Sequence, residues 1–196
     1  MSQLILINRI KVQNANAVAG FTWGFPAITH FLGYVQNLSR KLAENDMYPD
    51  VRLSGCAVVA HEHHVHTFRP SYDYQFIQTR NPAYIKNDAQ DLDNTGKTPP
   101  IIEEGKMNMT VSLMIGCDGN IGNREENFKK WLKKNCLLQR LAGGTILDIS
   151  NVELFHLQSN SGVRLIAYKL LPGFFFFFRS AYLEQHFKAL KSETPA

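Results

Sequence analysis

Between Leu4 and Val12 the chain reads as a strand, with Leu4, Leu6, Ile10 and Val12 on one side and Ile5 and Ile7 on the other. Its first half is therefore apolar on both faces. Asn8, Arg9 and Lys11 give the far half one polar face, a surface that a sheet can offer to a nucleic acid. Pro26 suits a first helical turn. From there Ile28, Phe31, Leu32, Val35, Leu38 and Leu42 recur at helical spacing and predict an amphipathic helix to Glu44. His30, Tyr34, Asn37 and Lys41 fall on its opposite side.

Val51 to His66 reads as a second strand, after which apolar periodicity lapses from Arg69 to Lys106. That stretch holds Pro70, Pro82, Pro99 and Pro100, an acidic and amide-rich run from Asn87 to Asn94, and the alternating Tyr72, Tyr74 and Phe76. A segment of this kind inside a compact domain reads as a projecting arm. Met107, Met109, Val111, Leu113 and Ile115 then share one face of a third strand. Asn123 is placed to cap a helix with Glu125 and Glu126 in its first turn. Phe128, Trp131, Leu132 and Cys136 form its apolar stripe, opposite Lys129, Lys130, Lys133 and Lys134. Thr145 to Leu157 and Val163 to Phe178 read as strands, and Arg179 onward as a short helix.

This order predicts an α+β fold with a ferredoxin-like, RNA-recognition-like β-α-β-β-α-β core and extra C-terminal strands. Residues 1–196 form one domain, with 69–106 as its inserted thumb.

At 196 residues and 44% hydrophobic content, the chain can bury one sizeable core and carry such an insertion. The apolar run Leu170 to Phe178 is broken by Pro172 and Gly173 and is shorter than the roughly 20 residues of a membrane helix, so no membrane partner is expected. The N-terminus lacks a secretory pattern, and a cytoplasmic protein is expected. Cys56, Cys117 and Cys136 are too scattered for a zinc knuckle or a disulfide framework and read as buried thiols. The net charge of +4, with its basic excess after Lys106, permits phosphate attraction without requiring it. The five phenylalanines Phe174 to Phe178 are expected to be buried, in the domain or against a partner.

Three segments carry candidate chemistry. Arg9 to Pro26 joins a strand to a helix through amides (Gln13, Asn14, Asn16), glycines (Gly20, Gly24) and aromatics (Phe21, Trp23, Phe25), a composition suited to ligand contact. Arg140-Leu141-Ala142-Gly143-Gly144 follows a helix; adjacent glycines let backbone N–H groups approach phosphate, though glycine also ends helices. In the third segment, strand alternation puts His61 and His63 on one face and Glu62, His64 and His66 on the other, so each face could offer imidazoles to a metal. The run is similar to the H-x-H-x-D-H signature of metallo-β-lactamases, but Val65 stands at the aspartate position. A metal-dependent hydrolase or ribonuclease using His61, His63, His64 and His66 is therefore the second reading.

Gln13-Asn14-Ala15-Asn16-Ala17 leading to Thr22-Trp23-Gly24-Phe25-Pro26, then Arg140 to Gly144, then Leu170-Leu171-Pro172-Gly173-Phe174, are spaced in a way that resembles one family. Arg80-Asn81-Pro82 and Ile102 to Gly105 add to the likeness. The family is that of the second Csy subunits of type I-F CRISPR surveillance complexes, among the backbone proteins that bind the 5′ handle of the guide.

The resemblance implies a non-catalytic scaffold without a cofactor, pairing with the large Csy subunit to hold the 5′ handle of the CRISPR RNA. Its thumb reaches toward the repeated backbone subunit and the guide, and target DNA is met through the assembled complex. On this reading Trp23 and Phe25 stack on handle bases, Asn14 and Asn16 read base edges, and Arg9, Lys11 and Arg140 with Gly143 and Gly144 hold phosphates. Gly24 and Arg80 complete the implied set. Members of the family extend past this C-terminus, so the chain reads as a short version or an N-terminal fragment.

Overall fold

The computed structural model describes residues 3–76, 78–80, 101–156 and 160–175. Its strands are β1 (Gln3–Asn16), β2 (Val18–Ala19), β3 (Thr22–Trp23), β4 (Arg52–Val65), β5 (Thr67–Phe68), β6 (Gln75–Phe76), β7 (Gln78–Arg80), β8 (Ile101–Glu103), β9 (Lys106–Asp118), β10 (Arg140–Leu141), β11 (Gly144–His156) and β12 (Phe174–Phe175). Its helices are α1 (Ile28–Ala43), α2 (Glu125–Leu137) and α3 (Asn160–Lys169). The central sheet runs β10-β11-β1-β9-β4-β12, with every neighbouring pair antiparallel. The result is a mixed α+β fold. Leu38 and Leu42 of α1 and Phe128 and Leu132 of α2 share the main core with Ile5, Ile7, Leu113 and Ile115 of the sheet. A smaller cluster on the opposite face joins Ile166 of α3 and Leu170 to Leu6 and Val59.

Strand β1 departs from simple alternation. Arg9 and Asn14 adopt left-handed backbone, φ 48° and 56°, and the register with β9 shifts between Ile7 and Ile10 and again between Val12 and Ala15. Each extra residue is a β-bulge that reverses the parity of the residues beyond it. Ile10 and Val12 consequently share the main core with Ile5 and Ile7, and not the face of Leu4 and Leu6. The bulges are secured from β9: Arg9 N–H donates to the Ser112 hydroxyl at 2.9 Å, and Asn14 N–H to Asn108 Oδ1 at 3.1 Å.

In α1 the buried stripe is Phe31, Tyr34, Val35, Leu38 and Leu42. Tyr34, expected on the polar side, reaches α2 and donates its hydroxyl to the Cys136 carbonyl at 3.2 Å, so the stripe is turned toward the neighbouring helix. Ile28 and Leu32 are left exposed. Asn123 does not cap α2; it lies in a 3₁₀ turn, Gly122–Arg124, and Arg124 takes the cap position without a side-chain bond. Lys129 turns back to Glu125 and Glu126, at 2.6 and 3.1 Å. Burial pushes the thiols of Cys117 and Cys136 up to about 11, whereas Cys56 is half-buried.

The C-terminal third differs most from expectation. Much of Val163 to Phe178, expected as strand, lies in α3, whose Ile166 packs with Leu170 against the sheet. Phe174 and Phe175 pair with Ala60 and Val59 as an edge strand and are exposed, not buried in this domain. Residues 176–178 and the helix expected after Arg179 lie outside the described residues. Of the expected thumb, β6 pairs with β5 just before it and β7 pairs with β8, while residues 77 and 81–100 lie outside the described residues.

Candidate nucleic-acid interface

Helix α3 covers only the end of its sheet face that carries Leu4, Leu6, Met114 and Phe155. Among the described residues, the other end is open. There Lys11, Gln13, Glu62, His64, Asn108 and Thr110 line a hollow of 510 Å³ with Leu147 at its margin. Lys11 pairs across the strands with Thr110 and Asp148, and Thr110 with Glu62. The β1 bulges produce this surface, because the strand keeps its apolar residues on the helix side while presenting Lys11 and Gln13 outward.

Beyond β1 the chain turns back as the β2–β3 hairpin, with Gly20 at φ 63° and Phe21 fully exposed at its tip. Trp23 is half-exposed and meets the Phe76 ring edge-on at 5.3 Å. Other expected site residues have structural contacts. Asn16 Nδ2 donates to the Val18 carbonyl at 2.9 Å and its Oδ1 accepts from Val18 N–H at 3.1 Å. Gly24, at φ 118°, donates its N–H to the Ala17 carbonyl at 2.8 Å. Phe25 stacks on Phe31 at 5.8 Å, against the main core.

The two expected segments meet. Asn16 N–H donates to the Ala142 carbonyl at 2.8 Å, and Gln13, Thr145 and Arg140 stand in register across β1, β11 and β10. Ala142 and Gly143 have φ of 51° and 76°, the pair of left-handed residues that a tight primed hairpin turn requires. Gly143 is exposed. Gly144 is buried, and a Cβ there would lie 2.7 Å from the Gln13 carbonyl oxygen and 2.8 Å from Ala15 Cα. Arg80 stands opposite Ile101 in β7–β8.

The histidines are dispersed. A bulge between Ala60 and Glu62 breaks the expected alternation, so His61 and His63 do not share a face. His61 lies beneath the segment leading to β12: its Nδ1–H donates to the Pro172 carbonyl at 2.7 Å, and Nε2 sits 2.7 Å from Ser112 Oγ. His63 meets Phe25 edge-on, and His64 and His66 are 6.0 Å apart by ring centroid. Among the described residues, no group of three or more His, Cys, Asp or Glu is placed to hold a metal ion, and the hydrolase reading loses its geometric basis. His61 and Arg9, whose guanidinium donates to the Leu171 carbonyl at 3.3 Å, instead fasten the Leu170 to Phe174 segment to the sheet. Sequence reasoning missed Ser112 and Asn108, since an acceptor that secures a bulge on another strand leaves no periodic signal.

A mixed α+β protein with helices against one sheet face, and the other face half bare among the described residues and carrying amides and a lysine, is the class these observations define. Residues 5–196 match the family model described as CRISPR-associated protein (Cas_Csy2). The chain is 32% identical over 209 aligned residues to CRISPR-associated protein Csy2 of Pseudomonas aeruginosa (strain UCBPP-PA14), a match that covers 98% of this chain and 60% of that protein. The chain belongs to the Csy2 family of CRISPR-associated proteins. It spans 60% of the length of the curated relative it matches.

Proposed function

We infer that this chain is a non-catalytic RNA-binding scaffold of a type I-F CRISPR–Cas ribonucleoprotein in the cytoplasm. It holds the 5′ handle of the CRISPR RNA and pairs with the large Csy subunit. Its 69–106 segment reaches the repeated backbone subunit, and target DNA is engaged through the assembled complex. Family membership supports this reading. So does the strand order β11-β1-β9-β4 with α1 and α2 on one face, which is that of ferredoxin-like and RNA-recognition cores.

The observation that carries the RNA assignment is the open sheet end around Lys11, Gln13 and Asn108. Extended bases can lie across such a face while amides meet their edges and a lysine meets phosphate. Trp23 and Phe21 supply exposed rings for stacking. Arg9, Lys11, Asn14, Trp23, Arg140 and Gly143 are the contact set; Asn16, Gly24, Phe25 and Gly144 shape the backbone that presents it.

The test is to co-express the chain with a large-subunit partner and a repeat-derived RNA, then identify bound nucleic acid and metal in the purified product. Recovery of uncut RNA with a fixed 5′ handle supports the scaffold. Chelator-sensitive RNA hydrolysis by the purified chain would overturn it.

A further inference from the structure

One side chain in the 510 Å³ hollow of the sheet face works against phosphate attraction, the carboxylate of Glu62. It stands in a row of directly opposed residues across four strands: Asp148 on β11, Lys11 on β1, Thr110 on β9 and Glu62 on β4. Lys11 thus has Asp148 on one side and, beyond Thr110, Glu62 on the other, and the row holds two carboxylates against one ammonium. Glu62 is exposed. Among the described residues it makes no ion pair, and neither its carboxylate nor the Thr110 hydroxyl has a hydrogen-bond partner. The next pairs along the strands, Gln13 with Thr145 and Asn108 with His64, hold no carboxylate.

A carboxylate is an acceptor only, and it repels a phosphodiester while binding strongly to groups that donate two hydrogen bonds side by side. Of the four RNA bases, guanine alone has such a pair on its pairing edge, N1–H and the N2 amino group, with the O6 acceptor beside them. Adenine and cytosine each turn one amino group and one lone pair to that edge, and uracil sets its single N–H between two carbonyl oxygens. A lone pair held against a carboxylate is repelled, which is discrimination by a mismatched charge as much as by a matched bond. Thr110 supplies the remaining element. Its hydroxyl lies on the strand next to Glu62, and neighbouring strands are about 4.8 Å apart, close to the width of a purine's pairing edge.

We propose that Glu62 is a specificity-determining residue that selects an unpaired guanine, accepting from its N1–H and N2 amino group while the Thr110 hydroxyl donates to O6. The phosphates on either side of that base keep to the row of Gln13, Asn108 and His64, away from the two carboxylates. The proposal rests on the RNA-binding reading of this face and adds to it the identity of one base.

The experiment measures binding of short labelled RNAs to the full chain by anisotropy: an oligouridine background with guanine, adenine, cytosine, uracil or inosine at one central position. Inosine keeps O6 and N1–H and lacks only the N2 amino group. The wild type is compared with Glu62→Gln and Thr110→Val, and circular dichroism verifies folding of each. The wild type should prefer guanine over the other three bases by roughly five- to a hundred-fold, the range of one good bidentate contact, and should bind inosine less tightly than guanine. Glu62→Gln should collapse that preference while leaving affinity for the all-uridine RNA unchanged or raised, since a negative charge is gone. Thr110→Val should narrow it. If the wild type binds all five RNAs alike, or Glu62→Gln keeps the preference for guanine, the sheet face binds RNA without this selection and the proposal fails alone. Glu62→Gln that weakens all five equally would give the carboxylate a structural role and defeat it too. Inosine bound as tightly as guanine would remove the paired donors from the contact, with the same result. A wild-type chain that binds none of the RNAs overturns both readings.

Discussion

The backbone N–H of Arg9 donates to the hydroxyl of Ser112 at 2.9 Å, and Ser112 is fully buried. This bond supports a left-handed bulge in the middle of β1 and places Lys11 on the open sheet face. Ser112→Ala would leave the Arg9 N–H without its acceptor and deprive His61 of a partner. An unsatisfied buried donor costs about 1–3 kcal/mol. We expect a loss of that size in urea unfolding, and faster hydrogen exchange across residues 170–175, which His61 and Arg9 hold down. Unchanged exchange there would show that the segment is held by other contacts.

Gly144→Ala tests the junction between the two candidate segments. The added methyl would meet the Gln13 carbonyl oxygen, the Val12 side chain and Ala15 Cα, all under 3.0 Å, and backbone cannot yield as a side-chain tip can. Overpacking of this kind costs about 1–3 kcal/mol. A lowered melting temperature together with altered Gln13 and Asn14 resonances is the expected outcome.

Trp23→Ala separates stacking from packing. Its ring is half-exposed and meets the Phe76 ring edge-on. If it stacks on a handle base, its loss weakens RNA binding by about 1–3 kcal/mol, while the melting temperature changes little. A large drop in stability with RNA affinity preserved would assign the ring to packing against the thumb.

Alkaline pH should destabilise the fold. Burial raises the Cys117 and Cys136 thiols from 9.0 to about 11, so between these values the unfolded chain releases protons that the folded chain retains. Stability from these groups is complete below pH 9 and falls as pH rises toward 11, by on the order of 2 kcal/mol per thiol. Urea midpoints measured across this range check the slope, and Cys136→Ala should reduce it. The half-buried Cys56 should react first with an alkylating reagent.

Much of the fold was legible in the sequence, for reasons that are local. Met107 to Ile115 alternates without interruption, and all five of its odd positions are in the core as expected, because a strand with one buried face must alternate. Phe128, Leu132 and Cys136 likewise keep helical spacing and are buried. The arginine, lysine and amides of the Arg9 to Pro26 stretch, and its likeness to the Csy2 family, were visible in the residues themselves.

The tertiary structure alone decided which face those residues occupy. The Arg9 bulge depends on a hydroxyl 103 positions away along the chain, and one extra residue in a strand reverses every side chain beyond it. That reversal moved Ile10 and Val12 to the helix side, and a second bulge separated His61 from His63. The helical state of residues 160–169 was hidden for the same reason: Ile166 and Leu170 gain their burial from a sheet face built by distant strands. Periodicity records what each segment buries; the acceptors and surfaces that choose its direction come from elsewhere in the chain.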